Sequence, residues 1–201
     1  LTGGAAMTDT GTGGVTAANL KLSGAGPVTL DNGAGNNVTN LVASLTGALT
    51  YSNGTNLLTV GAGIDGTTGV TTTNADVTLI ADDIDVTNAV NAGTGIVNFR
   101  AFTGTRDYFV GGTGAGLSVT DAELGRVTAG KLRIGDPTFT GTGQIAVNAA
   151  VTRHAGYNTL SLLTGNSSAT AITQTAPLSV ARLALMTDGG DVTFTNAGND
   201  V

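Results

Sequence analysis

Apolar residues recur along this chain at a spacing of twenty. Leu57, Val77, Val97 and Leu117 form one column, and Val70, Val90 and Val110 a second. Ile64 and Ile84 form a third, which skips Gly104 and resumes at Leu124. A fourth reads Leu79, Phe99, Val119 and Phe139. Such a period belongs to stacked solenoids, in which each unit buries its apolar face only against its neighbours.

Within each period, apolar–polar–apolar triplets carry the two-residue alternation of strands. Val77-Thr78-Leu79, Ile84-Asp85-Val86 and Ile96 to Phe99 are the core examples. Upstream, Asn19 to Leu22, Val28 to Leu30, Leu41 to Ala43 and Leu49 to Tyr51 read the same way. Downstream come Leu132 to Ile134, Ile145 to Val147, Leu160 to Leu162, Leu183 to Leu185 and Val192 to Phe194. Gly-Pro and Asn-Gly pairs between them mark turns, because Gly tolerates positive φ and Pro fixes it. No helix is predicted; Pro177 to Met186 fits two strands. The pattern predicts an all-β fold, a parallel β-helix (β-solenoid) of about twenty residues per coil. It forms one continuous unit over residues 1–201, most regular over 57–124, with corner insertions at 136–143 and 165–177. Residues 1–18, rich in Gly and Thr, are either a loose lead-in or part of a coil.

Composition supports thin, repeated layers. The chain has 32 Gly, 3 Pro, 5 Phe, 3 Tyr and no Trp, with only 11% charged residues. A mean hydropathy of +0.21 argues against disorder, which needs low hydrophobicity and high charge. Without cysteine, neither disulfides nor thiolate metal sites contribute. No apolar run is long enough for a spanning helix, so no membrane insertion is expected. Eight cations in a chain of net charge −6 argue against nucleic acid. The start at Leu1, without Met or signal peptide, reads as an internal segment of a longer chain whose neighbouring coils cover both ends.

The run Glu123-Leu124-Gly125-Arg126-Val127-Thr128-Ala129-Gly130, followed by Leu132-Arg133-Ile134-Gly135-Asp136, resembles repeats of filamentous-haemagglutinin-like bacterial exoproteins. Gly143 to Val147 and Asn158 to Leu162 are similar to the same repeats, so the resemblance covers residues 117–165. That family comprises adhesins exported by two-partner secretion or autotransport. The resemblance implies a right-handed helix and the extracellular or outer cell surface of a Gram-negative bacterium. It implies adhesive work on host or bacterial surface glycans or proteins, and no catalytic residues. The expected function is a structural shaft of a large secreted or surface-attached adhesin, not an enzyme. A self-assembling matrix, filament or surface-layer protein, associating end to end, is one alternative. A β-helical polysaccharide-processing enzyme is another.

Candidate chemistry is sparse. Asp82, Asp83 and Asp85 form the densest carboxylate cluster, preceded by Asp76, with Asp65 one period before Asp85. Stacked carboxylates suit either glycoside hydrolysis or Ca²⁺. The expected cofactor complement is none, with Ca²⁺ on Asp82, Asp83 and Asp85 as the metal alternative. His154, the only histidine, reads as a solvent corner, although Ser161 and Asp136 lie within sequence reach of a triad. Thr-x-Thr pairs (Thr8/Thr10/Thr12, Thr71/Thr73, Thr103/Thr105, Thr138/Thr140/Thr142, Thr173/Thr175, Thr193/Thr195) do not share the register and read as outward Thr. Phe102, Arg106, Tyr108 and Phe109 form an aromatic–basic patch, the interaction candidate for a neighbouring segment or carbohydrate.

Overall fold

The computed structural model describes residues 1–9 and 13–201. Thr10 and Thr12, two members of the first Thr series, lie outside the described residues. The fold is all-β and every named strand pair is parallel. The main sheet runs in sequence order through β2 (Met7–Thr8), β4 (Val28–Leu30), β6 (Leu49–Ser52) and β9 (Val77–Ile80). It continues through β12 (Ile96–Arg100), β16 (Lys131–Gly135), β18 (Leu160–Thr164) and β20 (Leu183–Thr187). A second sheet holds β1 (Thr2–Gly3), β3 (Thr16–Gly24), β5 (Asn37–Leu45), β8 (Val70–Thr71), β11 (Val90–Asn91) and β15 (Val127–Thr128). To it belong also β7 (Leu57–Val60), paired with β5, and β10 (Asp83–Val86), paired with β7. The third sheet is β14 (Leu117–Thr120), β13 (Tyr108–Gly111), β17 (Ile145–Val147) and β19 (Ile172–Gln174).

Parallel register puts Met7, Val28, Leu49, Val77, Val97, Leu132, Leu160 and Leu183 in one column. A second inward column holds Leu30, Tyr51, Leu79, Phe99, Ile134, Leu162 and Leu185. These side chains alternate with outward polar ones, so the apolar atoms of all three sheets meet in a single core. Like stacked on like fills volume without gaps, and β-branched residues suit the pleat. Gly24 and Gly135 end strands of two sheets at φ +129° and +115°, and a Cβ on either would lie 1.9 Å from a carbonyl oxygen of the adjacent rung. Only glycine permits both that backbone and that approach.

Among the named strands described, the twenty-residue interval holds for one rung, Val70 over Val90, Val77 over Val97 and Leu79 over Phe99, and it recurs at the isolated bridge of Ile172 with Val192. The main column advances by 21, 21, 28, 20, 35, 28 and 23 residues. The long intervals are insertions between strands. Leu41 pairs with Val60 but Ala43 with Val70, so residues 61–69 loop out beside β5. Ile64 lies in that loop, in a bridge to Thr67, and Leu57 is 51% exposed; neither continues a column. Val110, Leu117 and Val119 belong to the third sheet. The longest interval contains β14 and a one-turn helix, α1 (Asp121–Leu124), which the strand pattern does not predict. Leu124 is the buried apolar residue of that helix, and Phe139 occupies a left-handed turn at φ +55°. Residues 1–9 are not loose: Thr2 pairs with Ser23 and Met7 with Val28. Outward threonines do stack, as Thr8, Thr29, Thr50 and Thr78, one per rung rather than as Thr-x-Thr.

Phe99 is fully buried between Leu79 and Ile134, whereas Thr50 faces outward on the same sheet. Phe99→Ala is expected to cost about 3–5 kcal/mol, and Thr50→Ala about 0.5 kcal/mol or less. Chemical denaturation midpoints check this; equal losses would contradict the assignment of faces.

Candidate functional site

The insertion that carries β14 and α1 creates a cleft of about 390 Å³ against β10. Asp83, Asp85, Thr87, Ser118, Glu123 and Arg126 are among its lining residues. Among the described residues β10 has a backbone partner on one side only, β7, and the cleft opens along its other edge. On its other side, side chains do what a strand would. Asp83 Oδ1 accepts from Ser118 N at 3.0 Å, Glu123 Oε1 accepts from Val86 N at 2.8 Å, and Arg126 Nη1 donates to Val86 O at 2.9 Å.

Thr120 and Glu123 explain why the chain turns helical there. Glu123 N donates to Thr120 Oγ1 at 3.4 Å, and Glu123 Oε2 accepts from Thr120 N at 2.8 Å and Thr120 Oγ1 at 2.7 Å. This reciprocal capping box satisfies backbone donors at the start of α1. Glu123 is therefore buried, and each of its oxygens is occupied. Asp85 is the exposed carboxylate opposite. Partial desolvation of its carboxyl against the cleft wall pushes it up, the Glu123 charge adds to this, Arg126 opposes it, and Asp83 raises it further.

The structure separates the predicted carboxylate cluster. Asp83 and Asp85 line the cleft, but Asp82 does not. Its Oδ1 accepts from Thr103 N and its Oδ2 from Thr103 Oγ1, both at 2.7 Å. Asp65 does not stack on Asp85 either; Thr59 does, because Asp65 sits in the looped-out segment. Among the described residues no three acidic or histidine side chains converge as a metal site.

The aromatic–basic patch is likewise divided. Tyr108 is buried, correcting its expected role at a surface. Its hydroxyl accepts from Ala101 N at 3.1 Å, and burial, ahead of nearby charges, pushes it up to about 12. The ring of Phe109 lies over Gly114, where a Cβ would come within 2.5 Å of it. Arg106 Nε donates to Asp82 O at 3.1 Å. Phe102 remains 41% exposed, against the Gly33 corner.

His154 is not a solvent corner, and neither Ser161 nor Asp136 is its partner. Its Nε2 lies 2.8 Å from Asp121 Oδ1, which also accepts from Thr152 N at 2.8 Å. Burial raises the Asp121 carboxyl, but the bonds from Thr152 and His154 outweigh it and hold the group below its ordinary value. Asp136 is engaged in its own loop. Burial again raises the group, yet bonds from Thr138, Thr140 and Gly141 bring it down to about 2. Sequence reasoning missed Glu123 and Arg126 as cleft residues, although Thr120-x-x-Glu123 has the capping-box spacing. No family model, curated protein or solved structure matches the chain.

Because folded Asp85 holds its proton more tightly than the unfolded chain does, its contribution favours the folded state at low pH and is lost as pH rises through the raised value. Asp85→Asn removes that dependence. Its denaturation midpoint is expected to gain on the parent at about pH 7 and to lose the gain toward about pH 3. A constant difference across that range would contradict the raised carboxyl.

Proposed function

We propose that the chain is a segment of right-handed parallel β-helix serving as a rigid shaft in a large secreted or surface-attached bacterial adhesin. The observation that carries this reading is the main sheet: eight parallel strands in sequence order from Met7 to Thr187, with one apolar column running through all of them. At a strand spacing of 4.7–4.9 Å, seven intervals extend about 34 Å along the stack. Each interval is held by backbone hydrogen bonds, so bending the stack requires breaking many at once. Handedness, export and adhesion rest on the resemblance of residues 117–165 to haemagglutinin-like repeats.

One observation favours a second reading. Asp85 and Glu123 face each other in the cleft beside Arg126, and a raised carboxyl beside another carboxylate is the pairing that glycoside hydrolysis uses. Glu123 is committed to Val86 and Thr120, however, and that commitment favours a structural role.

Two measurements separate these readings. In intact cells, antibody against this segment is expected to detect a band far larger than 19.6 kDa that external protease removes or that appears in the medium. A compact intracellular band resisting protease would overturn the shaft. Purified chain is expected to leave a panel of acidic glycans uncleaved. Turnover that disappears in folded Asp85→Asn would establish the enzyme instead.

A further inference from the structure

The outward face of the main sheet carries a charge pattern that the shaft does not require. Inward Leu132 and Ile134 in β16 set the parity, so Lys131 and Arg133 face outward. The register continues from Asn98 to Arg133, Ser161 and Ala184 in one outward column. Beside it run Lys131, Thr159 and Arg182. Leu132 N donates to Thr159 O at 2.9 Å and Leu160 N to Arg182 O at 3.0 Å, which fixes their order. Three of the eight cations thus share one face of an acidic chain.

None of the three is neutralised. Among the described residues the ion pairs are Arg100–Asp136, Arg153–Asp200 and His154–Asp121. The face also holds unused hydrogen-bonding capacity. Asn98 is 4% exposed and its Oδ1 has no partner, and the adjacent Arg133 Nε is buried without one. Burying polar atoms unpaired costs free energy that a ligand or ordered water returns. Asp76, whose Oδ1 accepts from Ile96 N at 2.8 Å, bounds the patch on the β9 side.

We propose that this face binds a linear carboxylated polysaccharide laid across the strands. Lys131 and Arg182 stand two strands apart, about 9–10 Å, and Arg133 lies about 7 Å along the strand from Lys131. Carboxylates on alternate sugars of a uronic-acid polymer recur at a comparable interval. The guanidinium fork matches a carboxylate in bidentate fashion, which an ammonium does not. Thr159, half-buried, lies between Lys131 and Arg182 and offers its hydroxyl to a sugar hydroxyl, while Asn98 and Ser161 flank Arg133 beneath the surface. Three cations without an aromatic stacking platform do not suit nucleic acid. The inference goes beyond the shaft reading and stands without it, since it concerns the purified chain alone.

Titration of the purified chain with sodium polygalacturonate at low ionic strength tests it. Binding is expected that weakens as salt rises. The triple variant Lys131→Gln, Arg133→Gln, Arg182→Gln is expected to bind about tenfold more weakly or worse, with unchanged circular dichroism. Lys21→Gln, on another sheet, should bind like the parent. Arg133→Lys, which keeps the charge and loses the fork, should fall between and keeps the test informative if the triple variant misfolds. No binding by the parent, or an equal loss in Lys21→Gln, would overturn the proposal. So would equally tight binding of single-stranded DNA, dextran sulfate or anionic vesicles.

Discussion

Parallel backbone pairing places each residue of a strand over its equivalent in the next rung, and the rest of the molecule follows from that constraint. A side chain that faces the core in one rung faces it in all, because a one-residue slip would turn every apolar group outward. The main columns obey this from Met7 to Leu183 and from Leu30 to Leu185, with partners of similar size in adjacent rungs. Additional residues are tolerated only between strands, where they leave the column intact. The loop at 61–69 and the β14–α1 excursion are both of that kind.

Polar side chains complete the ladder where backbone partners end. At Val86, Glu123 and Arg126 stand in for the missing strand. At one corner, fully buried Asn53 accepts from Val38 N and Tyr51 Oη and donates to Val38 O and Leu57 O. Nearby Asn36 donates to Leu30 O and Ser52 O while accepting from Val15 N. A short amide reaches two rungs at once, so corners rich in Asn are joints as well as turns. The same logic explains why ionisable groups here are mostly structural. Asp82, Asp121 and Asp136 each hold a loop by accepting from its N–H and hydroxyl groups.

Strand positions were legible because period-two alternation is local: Val28–Leu30 and Ile145–Val147 coincide with predicted triplets. The stacking of Val77 on Val97 was legible because that rung happens to have no insertion. The other rungs were not, since insertions shift numbering without altering the triplets, and constant arithmetic then aligns residues from different sheets, as with Leu117. Tyr108 looked like a surface aromatic because its neighbours are charged, but register with Leu117 and Ile145 turns it inward. The cleft escaped sequence reasoning because Asp85 and Glu123 are brought together only by pairing across rungs. The outward cations escaped it for the same reason: Lys131 and Arg182 are far apart in the chain and two strands apart in space.

The nine-residue strand β5 is matched above by two shorter strands, β7 and β8, with the intervening residues expelled as a loop. A rung can therefore surrender its middle and still template its neighbours on both sides. Lengthening the loop costs little, about 0.6 kcal/mol for each doubling. Asp65, at its left-handed turn, marks a place where foreign sequence can be spliced into the stack while the flanking half-strands keep their register.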